Sequence, residues 1–461
     1  MASTPEQVQN IAFDDLQARL RGELITADAP SYDDARQVFF KGVDKRPLGV
    51  ARVAGADDVA AVVNAAREAG LELAVRSGGH SRPGYGTVDG GLVIDLSGMD
   101  SVEIDADARA AWVQTGANAG KYTLATSEKG RVTGLGDTGS VGIGGITLAG
   151  GIGFLVRKTG LTIDNLLAAE VVTADGAIVQ ASEASEPDLF WAIRGGEGNF
   201  GVATRLKLRL AEISEIVGGA LILPASPEVV TGFLDAANAA PEELSTIANV
   251  MLAPPLPFVP SEAHGKPVVM GQFAYVGPVD QGETVLAPFR ALARPLADIV
   301  RPMRYPELYE GPGPEVRFAA GNNYFAESLE PAGAEAIIEH MRRSTAPMSA
   351  VQLRVLGGAL ARVPNGATAF AHRDRGLFVN VAAMYMDGGE KDTHDAWVNG
   401  VASSLGKDGS GGYVGFLGEE DQATVRAAYP GATWDRLRDL KRRYDPQNLF
   451  RLNHNIPPAE R

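Results

Sequence analysis

The stretch "GLGDTGSVGIGGITLAGGIGFLVRKTG" (134–160) constrains the fold more than any other part of this 461-residue chain. Glycine falls at 134, 136, 139, 142, 144, 145, 150, 151, 153 and 160. Backbone so short of side chains can approach a ligand closely, and its free N–H groups can face an anionic group such as a phosphate. The plain alternative is a tightly packed glycine corner. No Gly-Lys-Ser/Thr follows, so this is not a nucleoside-triphosphate loop. Upstream, "AVRSGGHSRPGYGTVDGG" (74–91) sets His80 in a second glycine-rich loop. There the imidazole is either an incidental surface ring or a nucleophile held close to a ligand.

A third glycine cluster, "GGEGNFG" (195–201), contains a formal G-x-G-x-x-G at Gly196, Gly198 and Gly201. A dinucleotide fingerprint needs a strand before it and a helix opening at its third glycine. Here Gly201 opens "VATRLKLRL" (202–210), which alternates as a strand, so a nicotinamide-binding fold is disfavoured; a nicotinamide-dependent dehydrogenase stays as the alternative resting on these glycines.

Other segments give the frame. "DDVAAVVNAAREAG" (57–70) predicts an amphipathic helix with an acidic start and a glycine stop, and "LELAVRS" a strand feeding the His80 loop. "GLVIDL" and "AAWVQTG" read as strands, and 168–182 as a hairpin turning at Asp175-Gly176. After about residue 212 the texture changes. Connectors such as "LAPPLPFVP" (252–260) separate helical segments from strands "VQLRVLGG" (351–358) and "LFVNVAAMYM" (377–386), which predicts a second α+β domain. A last helix ends at "RRYDP", where Pro446 forbids continuation, and "RLRDLKRRY" (436–444) reads as its solvated face.

Net charge is −15 with no concentrated basic stripe, which argues against nucleic acid as a partner. The absence of cysteine excludes disulfides, thiolate metal sites and a cysteine nucleophile. The six histidines (80, 264, 340, 372, 394, 454) fall at no ligand spacing, so no metal is expected, and no G-x-S-x-G elbow exists. "MASTPEQVQNIAFDDLQARL" lacks an apolar secretory core, and no run approaches the ~18 apolar residues of a membrane span. A cytoplasmic protein with no membrane partner is expected.

Together, "RSGGHS", "GSVGIGGITLAGGIG", "LTIDNLLAAEVVTADG", "DLFWAIRGGEGNFGVAT" and "YDPQNLFRLNHNIPP" resemble the covalent-flavin oxidases. These are the FAD-linked family of the vanillyl-alcohol oxidase type, here in its berberine-bridge-enzyme-like branch, nearest in texture to its bacterial 6-hydroxynicotine-oxidase-like members. The resemblance runs from about residue 30 to 458. It implies an α+β fold in which an FAD domain (1–211) is interrupted by a substrate domain (212–420) with an antiparallel sheet and helices, and a C-terminal segment (421–461) returns to the FAD domain. It further implies hydride removal from a C–H next to an alcohol or amine of a small substrate of the secondary-metabolite kind, with O₂ as the expected acceptor. A non-catalytic, drug-binding protein on the same fold is the remaining alternative.

By the same resemblance His80 matches the histidine bonded to the flavin 8α-methyl. Many members of the branch carry a second link through a cysteine; here that position is Thr138, so a single attachment is expected. Arg76, Ser77, Gly78, Gly79, Ser81, Thr138, Ser140, Val141, Gly142, Gly144, Gly145 and Gly150 are implied to surround the flavin and its pyrophosphate. Asn199, Gly201 and Val202 are implied near the adenosine, and Asn453 and Asn455 as further contacts or as helix-end caps. "TWDRL" departs from the family pattern at Thr433 and Trp434. Members commonly have a glutamate near position 352, but here it is Gln352, which alternation sets on one face with Arg354. An amide is no base at neutral pH, so either the substrate loses no proton before hydride transfer, as for an amine bound already neutral, or a tyrosine, Tyr324 or Tyr385, substitutes with Arg354 lowering its pKa; the tyrosine is the expected base.

Overall fold

The fold is described from a computed structural model and comprises residues 13–105, 107, 109–309, 316–406 and 411–460. Residues 1–12, part of the amino-terminal stretch read above, lie outside the described residues. The first sheet contains β1 (Glu23–Thr26), β2 (Gly49–Arg52), β3 (Leu73–Arg76) and β4 (Leu92–Asp95) in the order β1-β2-β4-β3. β3 and β4 run parallel with Arg76 opposite Asp95. Helix Ala56–Ala69 lays Val59, Val62, Val63 and Ala66 on Leu73, Leu92 and Ile94. It ends where Gly70 turns left-handed (φ 65°), a conformation cheap only for glycine.

The second sheet joins β5 (Val102–Asp105), β6 (Ala110–Gln114), β8 (Leu166–Val172), β9 (Ile178–Ser182) and β10 (Val202–Arg209) in the order β5-β6-β10-β8-β9. Its pairs are antiparallel, and β8–β9 is the hairpin expected at Asp175-Gly176. β7 (Arg131–Val132) pairs with β11 (Ala211–Glu212) outside it.

A larger antiparallel sheet follows: β12 (Ile216–Pro224), β13 (Leu244–Leu252), β14 (Pro267–Tyr275), β15 (Ala297–Asp298), β16 (Arg301–Met303), β17 (Phe318–Ala326), β18 (Met348–Val355) and β19 (Leu377–Tyr385). The strand order is β15-β12-β14-β13-β18-β19-β17, with β16 beside β12. One face is covered by helices Pro227–Ala239, Pro331–Arg343 and Lys391–Ser404, whose Phe233, Ile337 and Val401 join Val250, Val351, Val379 and Val381 in a single core. The other face turns toward the glycine-rich half. Ile216, Ile247 and Ala274 meet Val132, Phe154 and Leu155 there.

The last helix, Ala432–Tyr444, packs Trp434 and Leu437 into the core under the glycine loops. The expected solvated face of 436–444 needs correction at one residue, Lys441, which has no exposure. Its ammonium donates to the carbonyls of Asn199 and Phe450 and to Asp445, all at 2.7–2.8 Å.

Candidate functional site

The His80 loop and the 138–145 turn cross glycine on glycine. A Cβ placed on Gly78 would stand 2.2 Å from the Gly142 nitrogen, and one on Gly142 would stand 2.1 Å from the Gly78 nitrogen. No larger residue allows that approach. Ser77 clamps the crossing: its Oγ donates to the Thr115 carbonyl and accepts from the Gly144 N–H at 3.3 Å. Val141 adds a carbonyl that accepts from Ala119 N–H at 2.9 Å. Gly144 and Gly145 lie in helix Ile143–Ala149, and the space before Gly145 is open, with no heavy atom within 4 Å of a Cβ there. Gly150 ends that helix at φ 139°, roofed by Tyr413, whose hydroxyl accepts from Gly151 N–H at 2.8 Å.

His80 sits at this crossing. Burial holds its imidazole down to about 4, partly offset by the backbone of Ser140, so the ring is neutral at physiological pH. Phe39 stacks on it with ring centroids 3.9 Å apart. Ser81 Oγ accepts from Tyr85 N–H at 3.4 Å, and exposed Thr138 leans on Asp137, Oγ1 to Oδ1 3.1 Å.

Several residues expected around a flavin are committed to the chain itself. The Arg76 guanidinium is buried against Asp95 at 3.0 Å and the carbonyls of Ala35 and Gln37. Asn199, also buried, donates to the Gly196 and His454 carbonyls and accepts from Ile456 N–H at 2.9 Å. It pins the C-terminal segment, and no side-chain donor is left over for an adenosine. Val202 is a core residue opposite Val172. Gly201 (φ 152°) allows β10 to begin against Val171 and Val172, where a Cβ would clash. A strand, not a helix, opens at that glycine, so the G-x-G-x-x-G offers no helix N-terminus to a pyrophosphate. Asn453 donates to the Phe450 carbonyl at 3.2 Å, while Oδ1 of Asn453 and Oδ1 of Asn455 are buried without a hydrogen-bond partner among the described residues.

On the face turned toward the glycine-rich half, the large sheet presents a polar row that sequence reading caught only at Gln352. Register sets Asn249 opposite Gln352, Gln352 opposite Asn380 and Asn380 opposite Asn323, on four adjacent strands. Gln352 Oε1 accepts from Asn380 Nδ2 and from Arg354, both at 3.0 Å. Arg354, itself buried, also donates to the Ile152 carbonyl at 3.1 Å and forms an ion pair with the partly buried Asp137 of the glycine loop. Its charge is thereby balanced. Asn249, Asn380 and Asn323 could have been suspected only from cross-strand register, and Asp137 only from its contact with Arg354, neither of which a local pattern reveals.

The tyrosine expectation fails on parity. Tyr324 pairs with Val379 and Tyr385 with Phe318, so both lie on the face opposite Gln352 and Arg354, buried in the helix-covered core. Burial raises the Tyr385 hydroxyl's pKa, the reverse of what a base needs.

Comparison with known proteins places this arrangement. A model described as FAD binding domain matches residues 47–182, and one described as Berberine and berberine like matches 412–457. The chain is 30% identical over 457 residues to (R)-6-hydroxynicotine oxidase of Paenarthrobacter nicotinovorans, covering 95% of this chain and 97% of that protein. It is 29% identical to the FAD-linked oxidoreductase YgaK of Bacillus subtilis, covering 96% and 98%. Among solved structures, 6-hydroxy-D-nicotine oxidase from Arthrobacter nicotinovorans superposes with TM-score 0.84 at 28% identity, covering 95% and 98%. Xylooligosaccharide oxidase from Myceliophthora thermophila gives 0.85 at 25%, covering 98% and 100%. The chain therefore belongs to the FAD-linked oxidases of the berberine-bridge-enzyme-like branch, with the vanillyl-alcohol-oxidase-type fold. It is an FAD-dependent oxidoreductase.

The residues present fit that cofactor. Two glycine loops meet without side chains between them, a helix start opens onto free space at Gly145, and a neutral imidazole stands beside the crossing. Among the described residues no helix is long and apolar enough to cross a membrane.

Proposed function

We propose that the protein removes hydride from a C–H bond beside the oxygen or nitrogen of a small, neutral alcohol or amine, onto FAD attached once, through His80, with dioxygen as final acceptor. The observation that carries this reading is the neutral His80 ring at the glycine crossing, opposite a sheet face whose polar row is made of amides. Bound there, FAD supplies a hydride acceptor whose potential a histidyl substituent raises by withdrawing electron density. The absence of cysteine leaves no sulfur for a second link, and Thr138 stands where one would be.

Ser77, Gly78, Gly142, Gly144 and Gly145 would hold the ring and pyrophosphate, and the buried side-chain oxygens of Asn453 and Asn455, without a partner among the described residues, are further candidate contacts. Asn199, Val202 and Arg76 act at one remove, by keeping those segments in place. Gln352 is the residue we assign to the substrate. Its Oε1 is occupied by Asn380 and Arg354, which turns its amide donors outward toward a substrate oxygen or nitrogen. With Asp137 paired to Arg354, this sheet face favours a substrate that arrives neutral and is oriented by hydrogen bonds. The working division is 1–211 for FAD, 212–420 for substrate and 421–461 for the returning segment, although Tyr413, Val414 and Leu417 already pack into the core of the glycine loops.

Acid precipitation tests the attachment without knowledge of the substrate. Yellow flavin should stay on the polypeptide, with one FAD mass on the peptide containing His80. His80→Ala should bind FAD yet release it on denaturation and show a lower potential. If all the flavin of the parent protein enters the supernatant, covalent attachment is wrong. Anaerobic bleaching across a panel of neutral alcohols and amines would then identify the substrate.

A further inference from the structure

We propose that Phe39, bolted in place through Arg76 and Asp95, is a positioning residue for bond formation between His80 and the flavin, a role that presupposes attachment at His80. Phe39 belongs to a loop over the His80 turn, outside every segment that carries the family resemblance. Its ring lies nearly parallel to the imidazole, with centroids 3.9 Å apart and planes inclined by 21°. Its N–H donates to the Gly79 carbonyl at 3.1 Å. Gly79 sits at φ 70°, with Val38 and Phe39 backbone atoms 3.5 Å from where a Cβ would stand.

The segment before Phe39 is held from beneath. Arg76, on the strand that leads into the His80 loop, donates to the carbonyls of Ala35 and Gln37. Asp95 balances that guanidinium at 3.0 Å, both side chains being buried. One buried guanidinium, balanced by Asp95, thus ties the segment before the phenyl ring to the strand that leads into the imidazole's loop. Histidine χ2 is a broad torsion, and a glycine-rich loop does little to restrain it. Stacking on one face restricts that rotation, and the Ser140 backbone engages one ring nitrogen at the edge, so the two contacts together set which way the ring faces. The neutrality of the ring keeps a lone pair available.

The bond joins an imidazole nitrogen to the 8α carbon. One hydrogen leaves the methyl carbon, one leaves the imidazole, and dioxygen takes both with two electrons and departs as hydrogen peroxide. An oriented nucleophile gains most in such a step, because misplacement by about 1 Å can cost ~10²-fold.

The test uses full-length apoprotein from a riboflavin-starved host, mixed with FAD and oxygen. Acid-stable flavin is followed in time, and non-covalent binding is read from flavin fluorescence immediately after mixing. Phe39→Ala and Phe39→Leu should bind FAD as the parent does but attach it at least about tenfold more slowly. Phe39→Tyr, which keeps the stack, should attach at close to the parental rate. Equal attachment rates for Phe39→Leu and the parent would overturn the role of Phe39 and leave His80 attachment standing. A parent protein that never forms acid-stable flavin would overturn both. Should Phe39→Ala fail to fold, the Leu and Tyr variants carry the comparison. Leu keeps most of the apolar volume without a ring, so slow attachment at parental Tm and FAD binding in Phe39→Leu, restored in Phe39→Tyr, supports the stack. Slow attachment accompanied by a lowered Tm overturns it.

Discussion

Lys441→Met should destabilise the protein far more than any neighbouring substitution in "RLRDLKRRY". The ammonium has no exposure and donates at 2.7 Å to Asn199 O, 2.8 Å to Asp445 Oδ2 and 2.8 Å to Phe450 O, so all three of its N–H donors are used. Asp445, equally buried, accepts from the backbone N–H groups of Leu449 and Phe450 at 2.8 Å. Methionine keeps the unbranched stem, so little cavity opens. What is lost is the cation beside a buried carboxylate, together with the partners of two carbonyls. Removing one member of a buried pair costs about 3–5 kcal/mol. If the unit around the glycine loops melts cooperatively, that is a fall of roughly 6–20 °C in Tm, at ~2–4 °C per kcal/mol for a unit of about 150–250 residues. The assay is thermal unfolding followed by circular dichroism, with Arg442→Met as control. Arg442 comes from the same basic run but is half exposed, and its loss should matter by no more than about 0.5 kcal/mol. Lys441→Met, Asp445→Asn and the double variant complete a cycle, in which the two losses should overlap. Strict additivity, or a Tm for Lys441→Met within about 2 °C of the parent, would refute the reasoning.

Gly78→Ala should lower both FAD content and Tm, because its methyl group meets the Gly142 backbone at 2.2 Å, whereas Gly145→Ala, with open space and a helical position, should leave Tm unchanged or raise it slightly. Burial alone would lower the His454 pKa, but the Glu197 carboxylate 3.0 Å from Nδ1 and the Gly418 carbonyl outweigh it and raise it above its ordinary value. The pair's stabilisation is therefore complete below about pH 6.5 and fades as pH rises through the raised value. Glu197→Gln should thus lower Tm more at about pH 6 than at about pH 9; equal losses at both would contradict the assignment. In anaerobic reduction by a substrate from the screen, Gln352→Ala should slow flavin reduction by about tenfold or more, while Tyr324→Phe and Tyr385→Phe should stay within about twofold. A tenfold loss in either tyrosine variant would restore the tyrosine base.

The glycine loops, His80 and the false fingerprint at 196–201 could be read directly from the chain, because each depends on short-range facts. Glycine is needed where backbone meets backbone, and period-two alternation after Gly201 can only be a strand. The same alternation correctly joined Gln352 to Arg354, as it operates within one strand. It could not relate Gln352 to Tyr324. That relation depends on β17 and β18 flanking β19 in a register that sets Asn323 and Gln352 against Asn380, and therefore turns Tyr324 to the other face.

Lys441 was misread for a similar reason. A lysine among arginines on an amphipathic helix has the pattern of a solvated residue. Its burial comes from Asn199, 242 residues away, whose carbonyl is one of its three acceptors. The stack of Phe39 on His80, the pairing of Arg354 with Asp137 and the bonding of Arg76 and Asn199 to partners within the chain are likewise contacts between segments remote in sequence. Residue type and spacing determine which backbone conformations a segment can adopt. Which polar groups remain free for a cofactor or a substrate depends on which distant donors and acceptors have already claimed them, and only the packed chain makes those pairings.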